Sequence, residues 1–257
     1  MSTTAARATE LLALHTQPPI LTLVNVWDVA SARAVAAVDG TTALATASHS
    51  IAAAHGYPDG EQIPVEEMLD MVGRIVAATE RPVTADLEAG YGDPAGTIRR
   101  AIGLGVVGAN LEDQLRPVAE ATAVVADVMA AARAEGVPDF VLNARTDTFL
   151  RVGDRPREGV LADAVERGRA FLDAGAPVVF VPGLLSEPEI EALVAAFGPG
   201  RLSVIGVPGM PSASRLEQLG VARVSFGPHP QRVALTALQR LVEQVDDGIP
   251  ADTRPLT

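Results

Sequence analysis

Short apolar runs alternate with longer, Ala-rich amphipathic segments along the chain, and this alternation is the feature that most restricts its fold. Such runs are typical of buried parallel strands, and the segments between them are typical of helices that cover a sheet. The predicted strands are Ile20–Asn25, Ala43–Ala47, Val83–Asp86, Gly108–Leu111, Phe140–Ala144, Val178–Val181, Leu202–Ile205 and Arg223–Ser225. The predicted helices are Thr3–His15, Val29–Val38, Val65–Thr79, Pro94–Gly103, Val118–Glu135, Gly159–Ala174, Glu187–Ala196, Ser212–Leu219 and Pro230–Val245.

Strand–helix units repeated over 257 residues match the size and order of a (β/α)₈ TIM barrel. A doubly wound open sheet is the competing fold, but no Gly-x-Gly-x-x-Gly fingerprint follows the first strand. The Pro- and Gly-rich patches are short enough to be ordinary loops. We therefore predict a single barrel domain over residues 1–257, with an N-terminal helix in 1–16 and a loosely held tail at 248–257.

Two missing residue types restrict the chemistry. The chain has no Cys, and all 20 of its basic residues are Arg. Disulfides, thiolate metal sites and Cys nucleophiles are therefore excluded. Schiff-base aldolases, pyridoxal-phosphate enzymes and P-loop phosphate binding are excluded as well, because each needs a lysine amine.

Charge and hydropathy restrict the partners. A net charge of −12 argues against a nucleic-acid surface. No apolar run is long enough to span a membrane, and the first residues do not resemble a secretion signal. We expect a cytoplasmic protein that binds neither nucleic acid nor membrane. An anionic substrate stays compatible with an acidic chain if a metal and Arg residues reverse the local sign of the potential.

Carboxylates follow two neighbouring predicted strands. Asp86 and Glu88 end one apolar run, and Glu112 ends the next. The carboxyl ends of barrel strands meet at one face, where barrel enzymes place their catalytic groups. Carboxylate oxygens are the ligands that Mg²⁺ and Mn²⁺ prefer. The sequence therefore predicts a Mg²⁺ (or Mn²⁺) site at this face. A strand-end Asp can instead cap the following helix, and Asp93, just before Pro94, is predicted to be such a cap.

Other polar residues are predicted to lie near the same face. Ser48 and His49 follow the second strand, but a Ser–His nucleophile is disfavoured because Gly-x-Ser-x-Gly is absent. Ser48 is instead interpreted as a hydrogen-bond donor to a substrate carboxylate. Asp59, in the predicted ordered turn 52–61, is either a turn residue or a further metal group. Trp27 lies either at the mouth of the site or beside the cap of the next helix.

Arg145 ends the fifth predicted strand. A guanidinium at that position needs an anionic partner, which is either the acidic cluster, a substrate carboxylate or a structural ion pair. Later strands end in Pro182-Gly183, Pro208-Gly209 and Ser225, small groups that let a substrate approach closely.

At this point the chain resembles the isocitrate lyase/phosphoenolpyruvate mutase superfamily. The resemblance is specific because matching motifs follow one another in family order over most of the chain. These motifs are Asn25-Val-Trp-Asp28, Ser31-Ala-Arg33, Thr46-Ala-Ser48, His55-Gly-Tyr-Pro-Asp59-Gly, Asp86-Leu-Glu88-Ala-Gly-Tyr-Gly, Gly108-Ala-Asn-Leu-Glu112-Asp113, Ala144-Arg145-Thr-Asp147 and Arg223-Val-Ser225-Phe-Gly-Pro228.

The resemblance implies a barrel that swaps its last helix between subunits and forms homodimers or homotetramers. It also implies Mg²⁺ held by Asp86, directly or through waters by Asp59, Glu88 and Glu112, and a small 2-oxo or 2-hydroxy carboxylate as substrate. From it we assign catalytic roles to Arg145, Ser48 and Asp59. Substrate-binding roles go to the following residues: Ser48, His49, Trp27, Arg145 and Ser225.

Two departures from the lyase pattern favour decarboxylation. The lyases carry a Lys-Lys-Cys-Gly-His-type loop after the Glu-Asp pair, where this chain has Gln114–Pro117, and Pro182-Gly183 replaces their Glu. Oxaloacetate decarboxylation needs a metal-stabilised enolate but no strong protein base, whereas retro-aldol cleavage needs both an acid and a base. The alternatives are phosphonopyruvate hydrolase or phosphoenolpyruvate mutase-like P–C chemistry, a 2-methylisocitrate lyase-like enzyme, a class II-type metal aldolase and a non-catalytic metabolite-binding barrel.

Overall fold

The computed structural model describes residues 3–244 and Gly248, and over these residues it contains one sheet of nine strands that all pair in parallel. The strands are β1 (Leu21–Leu23), β2 (Asn25–Val26), β3 (Leu44–Thr46), β4 (Val83–Asp86), β5 (Gly108–Glu112), β6 (Val141–Arg145), β7 (Val178–Val181), β8 (Leu202–Ile205) and β9 (Arg223–Ser225). The helices are α1 (Thr3–Leu14), α2 (Val29–Ala36), α3 (Ser48–Ala54), α4 (Val65–Ala77), α5 (Pro94–Gly103), α6 (Val118–Ala134), α7 (Arg157–Asp173), α8 (Glu187–Phe197), α9 (Ala213–Gln218) and α10 (His229–Glu243).

The sheet closes into the predicted TIM barrel. Its hydrogen-bonded order is β1-β9-β8-β7-β6-β5-β4-β3-β2, and only Val24 separates β1 from β2. These two short strands are therefore the halves of one barrel strand. The predicted strand Ile20–Asn25 is divided because its first half pairs with β9 and its second half pairs with β3.

Helix α3 is an element that the sequence analysis did not predict. The chain forms a helix directly after β3, so Ser48 and His49 lie in its first turn rather than on a strand. The segment is rich in Ala, a strong helix former, and Ile51 and Ala52 are fully buried. The predicted turn 52–61 consequently begins only after Ala54.

Capping side chains fix where several helices begin. Asp93 accepts a hydrogen bond from the Gly96 N–H at 2.9 Å, which confirms it as the cap of α5. Asp28 caps α2 in the same way, accepting from the Ser31 N–H at 2.6 Å. Because these helices begin right after the active-face loops, the caps also fix the path of those loops.

Helix α1 covers the amino end of the barrel. Leu11 is fully buried, and a side chain at Gly108 would come within 2.9 Å of it and within 2.8 Å of the Val141 carbonyl oxygen. Glycine is therefore required where α1 approaches β5. The carboxyl ends of the strands are left as the open face.

For the predicted tail and for the expected absence of a membrane span, the structure covers only part of the chain. The predicted tail 248–257 lies outside the described residues except for Gly248. Over the described part of the chain, no helix combines the length and apolar character that crossing a bilayer requires.

Helix α10 leaves the barrel as it proceeds. Near its start, Gln231 is buried and its side-chain amide donates to the Ser50 carbonyl oxygen at 2.9 Å. Leu235, Leu238 and Val242 follow Gln231 on the same helix face, at spacings of four, seven and eleven residues, and are 52%, 58% and 73% exposed. The docked face of α10 thus continues into an apolar stripe that the described residues leave exposed.

We expect this stripe to mediate assembly of the protein with a second copy of itself. Replacing Leu238 and Val242 by Glu places charges on the stripe and should shift the protein toward monomers, because buried unpaired charges disfavour an interface. Light scattering coupled to size-exclusion chromatography measures the change. A matched variant, Val233→Glu, alters the other side of α10 and should leave the mass unchanged. An equal mass for all three proteins contradicts the expectation.

Candidate active site

A cavity of about 420 Å³ opens at the carboxyl ends of the strands. Most of the residues predicted from the sequence line it together: Ser48, His49, Asp59, Asp86, Glu88, Glu112, Arg145 and Ser225. A wider depression of about 620 Å³ lies at the amino end of the barrel, but it is shallow and gathers no strand-end residue. The carboxyl-end cavity is therefore the candidate active site.

Asp86 lies at the end of β4 and is held by two elements. Its Oδ2 accepts hydrogen bonds from the Ser48 hydroxyl at 2.8 Å and from the Ser48 N–H at 3.3 Å. Its own N–H donates to the Thr46 hydroxyl at 3.0 Å. Its Oδ1 is buried and has no hydrogen-bond partner. One carboxylate oxygen is thus fixed, and the other is available for a ligand.

Ser48 lines the cavity as predicted, but its hydroxyl has a partner that the sequence analysis did not assign. A serine hydroxyl carries one hydrogen, and here that hydrogen is donated to Asp86. Donation from this hydroxyl to a substrate carboxylate is not compatible with the same arrangement. In the structure, Ser48 orients Asp86.

Glu88 is held in a strained loop beside Asp86. Its backbone is left-handed, with φ 53°, and its carboxylate accepts hydrogen bonds from the Glu61 N–H and from the Tyr91 hydroxyl at 3.0 Å. Burial raises the pKa of Glu88 to about 7; the two hydrogen bonds oppose this rise, and repulsion from Asp86 and Asp59 adds to it.

Glu61 is a contributor that the sequence analysis missed. Its Oε1 accepts from the Tyr91 N–H at 2.6 Å and from the Ala89 N–H at 3.2 Å. The loops after α3 and β4 are therefore tied to each other at Glu88 and at the residues that follow it.

Glu112 and Arg145 form an ion pair across the ends of β5 and β6. Arg145 Nη1 lies 2.9 Å from Glu112 Oε2, and its Nε donates to Asp147 Oδ1 at 2.8 Å. Burial raises the pKa of Glu112 to about 7; Arg145 opposes this rise, and Asp147, Asp86 and Glu88 add to it. Burial lowers the pKa of Arg145, but the surrounding carboxylates outweigh it and raise the value overall.

Asp59 and His49 lie at the rim of the cavity. His49 Nδ1 is 3.5 Å from Asp59 Oδ2, and both side chains are partly exposed. Asp59 belongs to the loop after α3, so it reaches the cavity from outside the barrel, whereas the other three carboxylates follow barrel strands.

The four carboxylates share one cavity without forming a closed cage. Among the described residues, no three His, Cys, Asp or Glu side chains lie close enough together to ligate one ion directly. The residues nevertheless fit a hard divalent cation, because the buried Asp86 Oδ1 has no partner and the donors are all carboxylate oxygens. Burial of Glu88 and Glu112 next to Asp86 leaves negative charge that such a cation would offset.

Two residues considered from the sequence serve structural roles. Trp27 does not line the cavity; its side chain is partly buried against the hydrophobic core, so its predicted substrate-binding role is not supported by its position. Asp113 pairs with Arg167 at 3.1 Å and accepts from the N–H groups of Leu115 and Asp147. Asp113 thus fixes the loops around the site from behind.

The cavity also contains polar residues that the sequence analysis did not assign. Asn25 accepts from the N–H groups of Phe226 and Gly227 at 2.8 Å each, which ties the first barrel strand to the last. Asn110, Arg151 and Arg232 also line the cavity. Asn25 and Asn110 belong to the sequence motifs that resemble the superfamily, so the sequence contained a signal that could have identified them. Arg151 and Arg232 lie beyond the strand ends, where no spacing rule points to them.

Fold and site together define a (β/α)₈-barrel enzyme with an acidic, cation-compatible cavity at its carboxyl face. The family model for phosphoenolpyruvate phosphomutase matches residues 11–246, so the chain belongs to that family, whose members are lyases and mutases.

Individual relatives cover most of the chain. It is 32% identical to an uncharacterized protein of Mycobacterium tuberculosis, with 91% of this chain and 88% of the relative aligned. It is 28% identical to an oxaloacetate decarboxylase of Ectopseudomonas mendocina, over 89% and 80% of the two chains. A crystal structure from Burkholderia cenocepacia J2315, described as a candidate phosphonomutase, is 42% identical and superposes with a TM-score of 0.87, covering 94% of this chain and 99% of that one.

The raised pKa values predict how pH acts on stability. Folding raises the pKa of Glu88 and of Glu112 from 4.5 to about 7, so the folded protein binds more protons than the unfolded chain between these values. This contribution is fully present below about pH 4.5 and is lost as the pH rises through 7. Each pKa unit on one group corresponds to about 1.4 kcal/mol of unfolding free energy.

Thermal unfolding in EDTA at pH 5 to 8 measures this effect. Glu112→Gln should be less sensitive to pH than the natural protein, because one of the two titrating groups is absent. In a second series without EDTA, added Mn²⁺ or Mg²⁺ should raise the unfolding temperature more at pH 8 than at pH 5, since a cation binds the ionised carboxylates. Identical pH profiles for the two proteins contradict the assignment.

Proposed function

We propose that this protein is a divalent-metal-dependent lyase that cleaves a C–C bond of a small 2-oxo or 2-hydroxy carboxylate, and that decarboxylation of oxaloacetate is its reaction. The observation that carries the proposal is the cavity itself. It gathers four carboxylates and a fixed guanidinium, and the turn that replaces the lyase acid–base loop does not line it. The oxaloacetate decarboxylase of Ectopseudomonas mendocina, already described, supports the same chemistry.

The carboxylates are the proposed holders of Mg²⁺ or Mn²⁺. Asp86 would bind the cation through its free oxygen, and Glu88, Glu112 and Asp59 face the same cavity. When bound, a divalent cation supplies positive charge against the negative charge that develops on the C2 oxygen of the substrate.

Arg145 is the proposed anchor for the C1 carboxylate. A guanidinium has five N–H donors, and the ion pairs with Glu112 and Asp147 use the edges at Nη1 and Nε. The remaining N–H groups stay available for a substrate. Because two carboxylates fix the guanidinium, little conformational entropy is lost when it binds an anion.

Loss of CO₂ is compatible with the part of the cavity wall that lies beyond Arg145 in the sheet. Phe180, Pro182 and Ile205 form an apolar surface at the ends of β7 and β8. In the reaction, the C3–C4 bond breaks, its electron pair moves to C3 and the C2 oxygen, and C4 leaves as neutral CO₂. A proton from solvent at the open mouth then completes pyruvate. An apolar wall favours a group that becomes neutral over one that stays charged.

Retro-aldol cleavage is less well supported, because it requires a protein acid for the leaving carbanion. The turn Gln114–Pro117 occupies the place of the lyase acid–base loop. Its Arg116 carbonyl oxygen accepts from Arg167 Nη1 at 2.8 Å, and its Leu115 N–H donates to Asp113. These contacts hold the turn behind the site, so it supplies no acid to the cavity.

Cleavage of a P–C bond is the second candidate function. It is favoured by the family model and by the candidate phosphonomutase of Burkholderia cenocepacia. Assays of oxaloacetate, 3-methyloxaloacetate, 2-methylisocitrate and phosphonopyruvate with Mg²⁺ separate the candidates. The detected product is pyruvate, except that 3-methyloxaloacetate gives 2-oxobutyrate and a mutase converts phosphonopyruvate to phosphoenolpyruvate. Turnover of phosphonopyruvate alone replaces the proposal with P–C cleavage, and no turnover of any of them rejects it.

Asp86→Asn should lower kcat/KM for the best substrate by at least about 100-fold, because the amide neither carries charge nor replaces the free carboxylate oxygen for a cation. Pyruvate formation in saturating Mg²⁺ measures the loss. Asp93→Asn is the matched control, since Asn also caps helices and Asp93 does not line the cavity. An active Asp86→Asn protein, or an equal loss in the control, contradicts the role of Asp86.

A further inference from the structure

The cavity contains three guanidiniums, and two of them are already paired with carboxylates. Arg145 is bound by Glu112 and Asp147. Arg151 lies 3.6 Å from the other oxygen of Asp147. The remaining N–H groups of Arg145 are assigned to the C1 carboxylate, and Asp147 offsets the charge of Arg151, so neither residue is free to bind a second substrate carboxylate.

Arg232 differs from both. It lies in the first turn of α10, directly after Gly227 and Pro228, which line the cavity with it. Among the described residues no carboxylate lies within ion-pair distance of its exposed guanidinium. It is thus the cavity's one guanidinium without a carboxylate partner in the part of the chain that the structure describes.

The proposed substrate requires a second cationic group in the site. A 2-oxo diacid carries a second negative charge beyond the one that Arg145 and a cation bind. Apart from the paired Arg145 and Arg151, the cavity walls offer that charge three kinds of group: carboxylates, which repel it, polar side chains such as Asn25 and Asn110, and the apolar side chains of β7 and β8, which suit it only once it has become CO₂. A flexible cation at the rim can reach a distal carboxylate that extends toward the mouth.

We propose that Arg232 is a specificity-determining residue that binds the distal carboxylate of the substrate, so that the site selects small 2-oxo diacids over 2-oxo monoacids. The inference rests on the proposed function and names the substrate class within it.

The chemistry of decarboxylation predicts which kinetic constant responds. The distal carboxylate carries charge in the bound substrate and loses it as it becomes CO₂. An ion pair with Arg232 therefore weakens toward the transition state. Removing it should raise KM without lowering kcat, since the interaction belongs to the ground state.

The experiment compares Arg232→Gln with Arg240→Gln. Both remove one exposed charge from α10, but Arg240 lies eight residues further along and does not line the cavity. Arg232→Gln should raise KM for oxaloacetate roughly fivefold, as expected for a solvent-exposed ion pair, with kcat unchanged or higher. Arg240→Gln should match the natural protein. Higher salt should raise KM in the natural protein and have less effect in Arg232→Gln.

Calorimetry with oxalate and with malate, measured with Mg²⁺ present, separates this inference from the proposed function. Malate is an oxaloacetate analogue that keeps both carboxylates but lacks the C2 ketone that decarboxylation requires. Arg232→Gln should weaken binding of this analogue and leave binding of the smaller oxalate within about twofold. If the natural protein binds the analogue in this Arg232-dependent way but does not turn over oxaloacetate, the proposed reaction fails and the subsite stands.

Three results overturn the inference. Equal weakening of both ligands shows that the substitution acts through the fold. Unchanged KM and unchanged analogue binding show that Arg232 contacts neither. A raised KM for phosphonopyruvate alone shows that the subsite receives a phosphonate rather than a carboxylate.

Discussion

Burial of several carboxylates side by side, which costs hydration and adds mutual repulsion, is the constraint around which this site is built. Asp86, Glu88 and Glu112 are carried to one cavity because parallel barrel strands deliver their carboxyl ends to the same face. Bringing them together in a partly dehydrated space raises the pKa of both glutamates to about 7. Clustering these carboxylates costs folding free energy, and such a cost is tolerated where function requires it. Here the function is to bind a positively charged ion.

The surrounding loops are organised to hold these groups in place. Ser48 fixes one oxygen of Asp86, and Glu61 and Tyr91 close around Glu88. Arg145 fixes Glu112. Each carboxylate is therefore oriented by neighbours from another loop or strand, which makes the site rigid before any ligand arrives and reduces the entropy lost on binding.

The barrel and the acidic cluster could be predicted from the sequence because both follow from strand periodicity. The ends of the apolar runs can be recognised in the sequence, and the residues at these ends lie close together in a barrel. Trp27 lies beside the cap of α2, one of the two places that the sequence left open, and its N–H donates to the Ser31 hydroxyl. Its side chain packs toward the core, because a residue just after a strand can turn toward the core as readily as toward the cavity. Helix α3 was missed because it is short and only Ala47 separates it from the end of β3. Arg232 could not be found this way, since its place depends on how the turn at Gly227 and Pro228 leads from β9 into the start of α10.

Arg223 shows how the barrel tolerates its own acidity. This arginine is fully buried, and its guanidinium contacts the Asn110 side chain at 3.4 Å, with no carboxylate of the described chain in ion-pair range. Burial lowers its pKa to about 10, while Asp86 acts to raise it, so the group stays protonated at neutral pH. The barrel thus carries an internal counter-ion beneath its carboxylates. Unlike a zinc finger, whose chain stays unfolded until the metal arrives, such a protein can finish folding first and acquire its cation afterwards.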